Sequence, residues 1–255
     1  MSARCIGMIV FAAILSGSAG RSDAYEICPT ATDCLALGQA AVESGQFEQA
    51  TDPLVAAADL ATGAADDQTL LAALGLLVTV NLQLGKPLMA HAWAQAETGA
   101  FPDNATAQAD LARARQALPA VDAAASISGT YQSYAGHGYW SELRITERPD
   151  GAALIDWSLL RFGAVASAYD DGPAAMWDMS ADAQYKNGQL VITYQGSDDS
   201  PCELTFARTG LALEWVAPKP EDLSQVCQIG GAGALPTGDF WLVDQTDPQL
   251  DDAED

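Results

Sequence analysis

Basic side chains are scarce in this chain: 11 lysines and arginines stand against 34 acids in 255 residues, a formal net charge of −23. A surface of that sign repels phosphate backbones and anionic bilayers, which argues against nucleic acid and membrane headgroups as partners. Histidine is rarer still. Of the two, His91 sits between Ala90 and Ala92 in a helical context and reads as packing or surface, and His137 sits in Gly136-His137-Gly138 and reads as a turn residue. The G-x-S-x-G nucleophile elbow, the glycine-rich phosphate loop and the complete D-x-[DN]-x-[DN]-G calcium loop are all missing. Asp170-Asp171-Gly172 and Asp198-Asp199 lack the remaining calcium ligands. Carboxylates are plentiful, yet nothing singles out two of them as an acid/base pair of the glycosidase kind. The expectation is a non-enzymatic protein with no catalytic residues, no cofactor and no metal.

Long apolar runs are missing beyond the N-terminus. The richest, Leu70–Val80, is eleven residues long and is broken by Gly75 and Thr79, well short of the ~20 residues a spanning helix needs. The first 24 residues instead have the tripartite form of a secretory signal: Arg4, an apolar stretch from Cys5 to Leu15, then the small-x-small triplet Ser22-Asp23-Ala24. Cleavage is expected near Ala24, with a cut after Gly20 or an uncleaved anchor as alternatives, which places the mature chain in the periplasm or outside the cell. The remaining 231 residues carry 9 basic and 33 acidic side chains. Six of those acids crowd the last twelve residues, which read as a solvated, disordered tail.

Only four cysteines survive that cleavage: Cys28, Cys34, Cys202 and Cys227. An even number in an exported chain reads as two disulfides. Intervening stretches of five and twenty-four residues do not suit a zinc site, which wants closely spaced pairs. Three connectivities are open, and proximity favours Cys28–Cys34 and Cys202–Cys227, one in each half of the chain.

Residues 34–118 are rich in Ala, Leu and Gln at helical spacing, with Asp33 as the expected first N-cap and Asp66 or Asp67 as the third. Breaks fall at Gly45, Thr62-Gly63, Gly85 and Gly99. Pro87 suits a first turn, and Pro119 closes a fifth helix. Gly45 and Ala50 recur as Gly85 and Ala90, 40 residues on. With Leu37-Gly38, Phe47, Leu54, Ala57, Leu77 and Pro102, this pattern resembles the tetratricopeptide repeat. Ala41, Val78 and Glu97 depart from it, standing where the family places a tyrosine-like residue, a glycine and a late alanine. The resemblance implies two helical hairpins and a capping helix. It also implies a groove for a protein or extended peptide lined by the first helix of each pair, with Gln39, Glu43, Thr79 and Gln83 as candidate contacts.

From Ser128 onward, short aromatic and β-branched runs alternate with turn dipeptides: Ser128–Tyr134, Trp140–Glu147, Ala152–Leu160, Ala164–Tyr169, Ala181–Lys186, Gln189–Gln195, Cys202–Arg208, Leu211–Val216 and Asp239–Val243. Asn187-Gly188 is the strongest hairpin signal. Cys202–Phe206, Leu211–Trp215, Cys227–Gly231 and Gly238–Trp241 together resemble the last strands of small secreted β domains in bacterial lysozyme-inhibitor-like proteins. Trp140, Trp157, Trp177, Trp215 and Tyr139 pack in such a domain or line a sugar- or peptide-binding face.

The fold class expected is therefore α+β in two separate domains: N-terminal tetratricopeptide-like helical hairpins (25–119), a linker (120–127), an antiparallel β-barrel or sandwich (128–243) and the acidic tail (244–255). The function expected is an exported protein-interaction module docking a protein or peptide partner, a basic one included. Inhibition of a cell-wall hydrolase such as lysozyme through the β domain is the alternative, and a hydrolase of other chemistry comes third.

Overall fold

The computed structural model describes residues 28–120, 126–162, 175–195, 201–217 and 238–250. Five helices come first: α1 (Ala31–Glu43), α2 (Phe47–Ala64), α3 (Asp67–Gln83), α4 (Pro87–Ala100) and α5 (Ala105–Ala117). The first begins a turn earlier than the composition suggests. Thr30, not Asp33, is its N-cap: the Thr30 hydroxyl accepts the Asp33 N–H at 3.1 Å and donates to the Asp33 carboxylate at 2.7 Å. Asp66 caps α3 through the Thr69 N–H, Pro87 opens α4, and Asn104 caps α5. The Cys28–Cys34 disulfide, with its Cα atoms 5.3 Å apart, ties the incoming chain to the first turn of α1.

Each helix packs on the next, while α1 also meets α3 and α3 meets α5. One layer therefore holds α1, α3 and α5, and a second holds α2 and α4. The layers approach closely because their contacts are small. Ala50, Ala56, Ala57, Ala58, Ala73, Ala90 and Ala94 are fully buried, and a Cβ on Gly38 would come within 2.5 Å of the Leu54 side chain.

Eight strands follow: β1 (Gly129–Gly136), β2 (Tyr139–Glu147), β3 (Ala152–Arg161), β4 (Ala175–Lys186), β5 (Gln189–Gln195), β6 (Pro201–Thr209), β7 (Ala212–Ala217) and β8 (Phe240–Asp244). All pair antiparallel in sequence order, and β8 returns to β1 to close a barrel. Of the two β architectures expected, the barrel is the one formed. Period-two alternation sends Tyr131, Leu143, Ile145, Ile155, Trp157, Leu204, Phe206 and Phe240 inward, each nearly or fully buried. Trp157 sits at the centre, with the rings of Trp177, Phe206, Trp215 and Phe240 at 5.6–5.8 Å. The barrel is filled by side chains, as a barrel of this strand number permits. The β4–β5 turn has both Asn187 (φ 55°) and Gly188 (φ 78°) left-handed, as the tightest hairpins require.

The sequence segments 163–174, 196–200 and 218–237 lie outside the described residues, and with them the expected strand at Ala164–Tyr169 and Cys227. Cys202, on β6, is buried and disulfide-bonded. The strand expected at Ala181–Lys186 begins six residues earlier, at Ala175, and pairs along all of β3. Ile127 is fully buried in the barrel core. Beyond β8, Asp247 accepts a hydrogen bond from the Thr146 hydroxyl at 2.8 Å, and the Leu250 N–H donates to that same oxygen at 3.1 Å. Among the described residues no helix is long and apolar enough to cross a membrane.

Candidate functional site

The two parts meet along α4. Leu88, His91 and Trp93 of α4 all reach the barrel, and Leu88 joins the same buried cluster as the barrel's own core. Trp93 meets Tyr134 of β1 at 5.8 Å and Trp140 of β2 at 4.7 Å, and those two rings meet each other at 5.2 Å. All three pairs are edge-to-face, the arrangement that the ring quadrupoles favour. His91 presents its ring edge-on to Trp241 of β8 at 5.0 Å. Burial, helped by Arg115 in the background, depresses the His91 imidazole to about 4. It stays neutral, and the Gln95 amide donates to its Nε2 at 3.2 Å.

The β1–β2 turn makes the second attachment. His137 takes a left-handed backbone (φ 55°) and carries its Nδ1 to 2.7 Å from Asp59 of α2, where both residues are almost wholly buried. Gly138 follows at φ 73° against Val55: a Cβ there would lie 2.9 Å from the Val55 carbonyl oxygen. Only glycine satisfies both the backbone angle and that approach. The Gly138 N–H donates to the Tyr134 hydroxyl at 3.1 Å, and burial lifts that phenol to about 12.

Between these attachments lies a cleft of about 820 Å³, within the range of small-ligand sites. Its floor is apolar, with Val55, Leu88, Met89, Trp93 and Trp140. Lys86 and Asp244 stand at its rim, and Thr51, Thr130 and Gln132 add polar groups. A smaller cavity of about 330 Å³ lies against the other flank of α4, beside Gln95, Ser133 and Trp241.

One turn beyond Trp93 on α4, Glu97 is fully buried and neither carboxyl oxygen has a hydrogen-bond partner among the described residues. Burial first, and Asp110 second, push its carboxyl up to about 8, with Arg113 opposing. A Cβ on Gly75 would meet Asp110 at 3.0 Å and Glu97 at 3.3 Å. The glycine on α3 is what leaves room for two carboxyl groups. Asp110 is held in turn by Arg113 at 2.9 Å, whose guanidinium also donates to the Thr79 hydroxyl.

The candidate groove residues fall on the layer away from the barrel. Gln39 and Glu43 are exposed on α1 and Gln83 is exposed on α3, whereas Thr79 is half-buried under Arg113 of α5. Trp140 belongs to the junction; Trp157, Trp177 and Trp215 fill the barrel. The turn histidine carries a contact that sequence reasoning missed, because its partner lies 78 residues away. Only the unusual placement of a bulky residue between two turn glycines hinted at it. Among the described residues neither imidazole bonds a hydroxyl or thiol, and no group of three or more potential metal ligands occurs. No protein-family model matches the chain, and neither does any curated protein or solved structure.

Proposed function

We propose that this chain is an exported, non-enzymatic interaction protein whose helical array docks a basic segment of a partner protein on its α1/α3/α5 face. The observation carrying this reading is that the barrel is attached through α2 and α4: Val55, Asp59, Leu88, His91 and Trp93 all face it. The opposite layer is left to solvent, with Gln39, Glu43 and Gln83 exposed and Leu37 47% exposed. That is the layer which the tetratricopeptide resemblance makes the groove. Charge gives the partner its sign. Residues 31–119 carry ten acids against three basic side chains, and such a field speeds encounter with a cationic surface. The apolar N-terminal stretch and the Cys28–Cys34 disulfide fit an oxidising compartment.

The test is site-specific photo-crosslinking from Gln39 and Gln83, with Met176 on the outside of the barrel as control. The expected result is one discrete adduct from both helical positions, weakened by Glu43→Arg and missing from the Met176 position. Adducts from Met176 alone, or from no position, would overturn it. Inhibition of lysozyme that survives Glu43→Arg would transfer the function to the barrel.

A further inference from the structure

The helix–barrel cleft carries a feature that partner docking on the other face does not use. Its rim holds one cation and one anion from different parts of the fold: Lys86 at the start of α4 and Asp244 at the end of β8. Both are exposed. They form no ion pair with each other, and Lys86 forms none with any described residue. Among the described residues the Asp244 carboxylate accepts only the local Thr246 N–H, at 2.8 Å. Below the rim the wall is apolar and aromatic, with amide and hydroxyl groups interspersed. Within that lining, the indole N–H of Trp140 and the amide oxygen of Gln132 are buried without a hydrogen-bond partner among the described residues, while the Gln132 amide nitrogen donates to Glu142 at 2.8 Å. They are diagonal neighbours on one face of the β1–β2 ladder, since Gln132 pairs with Glu142 and Tyr134 with Trp140. Unsatisfied buried groups of this kind call for an explanation.

We infer that this cleft binds a short apolar peptide with free termini. Its carboxylate meets Lys86, its ammonium meets Asp244, and its side chains lie on Leu88, Met89, Trp93 and Trp140. A fatty acid would leave Asp244 facing an aliphatic chain, and a cationic amphiphile would leave Lys86 so. A zwitterion satisfies both. A peptide amide within reach of Gln132 and Trp140, after rotation of the Gln132 side chain, supplies the donor and acceptor they lack. The site is built from both halves of the molecule and lies on the opposite side of the helical array from the proposed docking face, so the two readings stand or fall separately.

The experiment is a tryptophan-fluorescence titration of the full chain, backed by calorimetry, with trileucine as probe. Its arms are trileucine amide, N-acetyl-trileucine, the doubly blocked N-acetyl-trileucine amide, and decanoate. Trileucine is expected to bind saturably and change the emission, because Trp93 and Trp140 line the cleft. Blocking either terminus is expected to weaken binding about tenfold, the loss of one exposed-to-half-buried charge contact. Lys86→Gln should abolish the advantage of a free carboxylate and leave that of the free amine, and Asp244→Asn should do the converse. Both sites are exposed, so neither change threatens the fold. Absence of saturable binding at millimolar trileucine, equal affinity for the doubly blocked peptide, or decanoate binding as tightly as trileucine would each overturn the inference.

Discussion

The barrel and the helical array solve burial in opposite ways. The barrel's interior is aromatic and aliphatic, and its buried polar residues among those described (Ser133, His137 and Ser141) sit on β1, β2 and the turn joining them. The helical array is packed with alanine, and among those small residues it buries Asp59, Asn81, His91 and Glu97. Large rings fill a barrel because alternation sends one whole face inward from every strand. Alanine lets helices come close, and a long polar side chain placed at such a contact has no route to water. The lesson is that stability in the barrel rests on volume, whereas stability in the helical array is linked to protons.

The largest expected effect is on the volume side. Trp157→Ala removes the ring that four others surround and should cost about 3–5 kcal/mol, read by urea unfolding. The loss should be the same at every pH where the protein folds, since the four rings around Trp157 carry no titrating group. A pH-dependent loss would break the contrast.

Glu97→Gln comes next and probes the proton side. The folded carboxyl titrates at about 8 against an ordinary 4.5. Across that window the folded state therefore keeps a proton that the unfolded chain has released. Stability tied to this group is fully present below 4.5 and is lost as pH rises through 8, by a few kcal/mol in total. The Gln variant should lose that fall and be the more stable form at pH 8.5, in urea titrations compared with pH 4.5. A variant that tracks the natural chain at both values would show that Glu97 is solvated.

His91→Leu is the smaller counterpart, with the opposite sign. The folded imidazole titrates at about 4 against 6.5, so the unfolded chain takes up the extra proton. Stability is present above 6.5 and is lost as pH falls toward 4. The two slopes oppose each other between 4.5 and 6.5, and only the Glu97 fall remains from 6.5 to 8. The Leu variant should flatten the acid side alone in thermal melts run as a pH series.

Much of this molecule was legible in local sequence. Asp66, Pro87 and Gly85 mark helix ends through backbone chemistry that needs no tertiary context, and Asn187-Gly188 does the same for a hairpin. The first half of β4 was not legible. Met176-Trp177-Asp178-Met179-Ser180 alternates in burial but is poor in β-branched residues, so its pairing with β3 supplies what propensity does not. Glu97 was visible as a departure from a repeat that expects alanine, but the departure alone did not reveal Gly75 making room for it from another helix. The candidate site was the least legible. The contacts of His137 with Asp59 and of Trp93 with Trp140 join residues far apart in the chain, and no periodicity in either segment encodes them. The halves looked separable because sequence texture changes at residue 120, yet texture reports local structure and is silent about what packs across the change.

That packing is open to a direct test: the shared junction of Leu88, Trp93, Tyr134, Trp140 and the Asp59–His137 pair should make helices and barrel unfold as one cooperative unit. Thermal unfolding of the full chain, followed at once by the far-ultraviolet helical signal and the near-ultraviolet tryptophan signal, measures it. Coincident transitions are expected, and Gly138→Val, which drives a side chain into the Val55 backbone, should lower them together. Two separate transitions, or a Gly138→Val chain whose helical melt moves while its tryptophan melt stays in place, would contradict it.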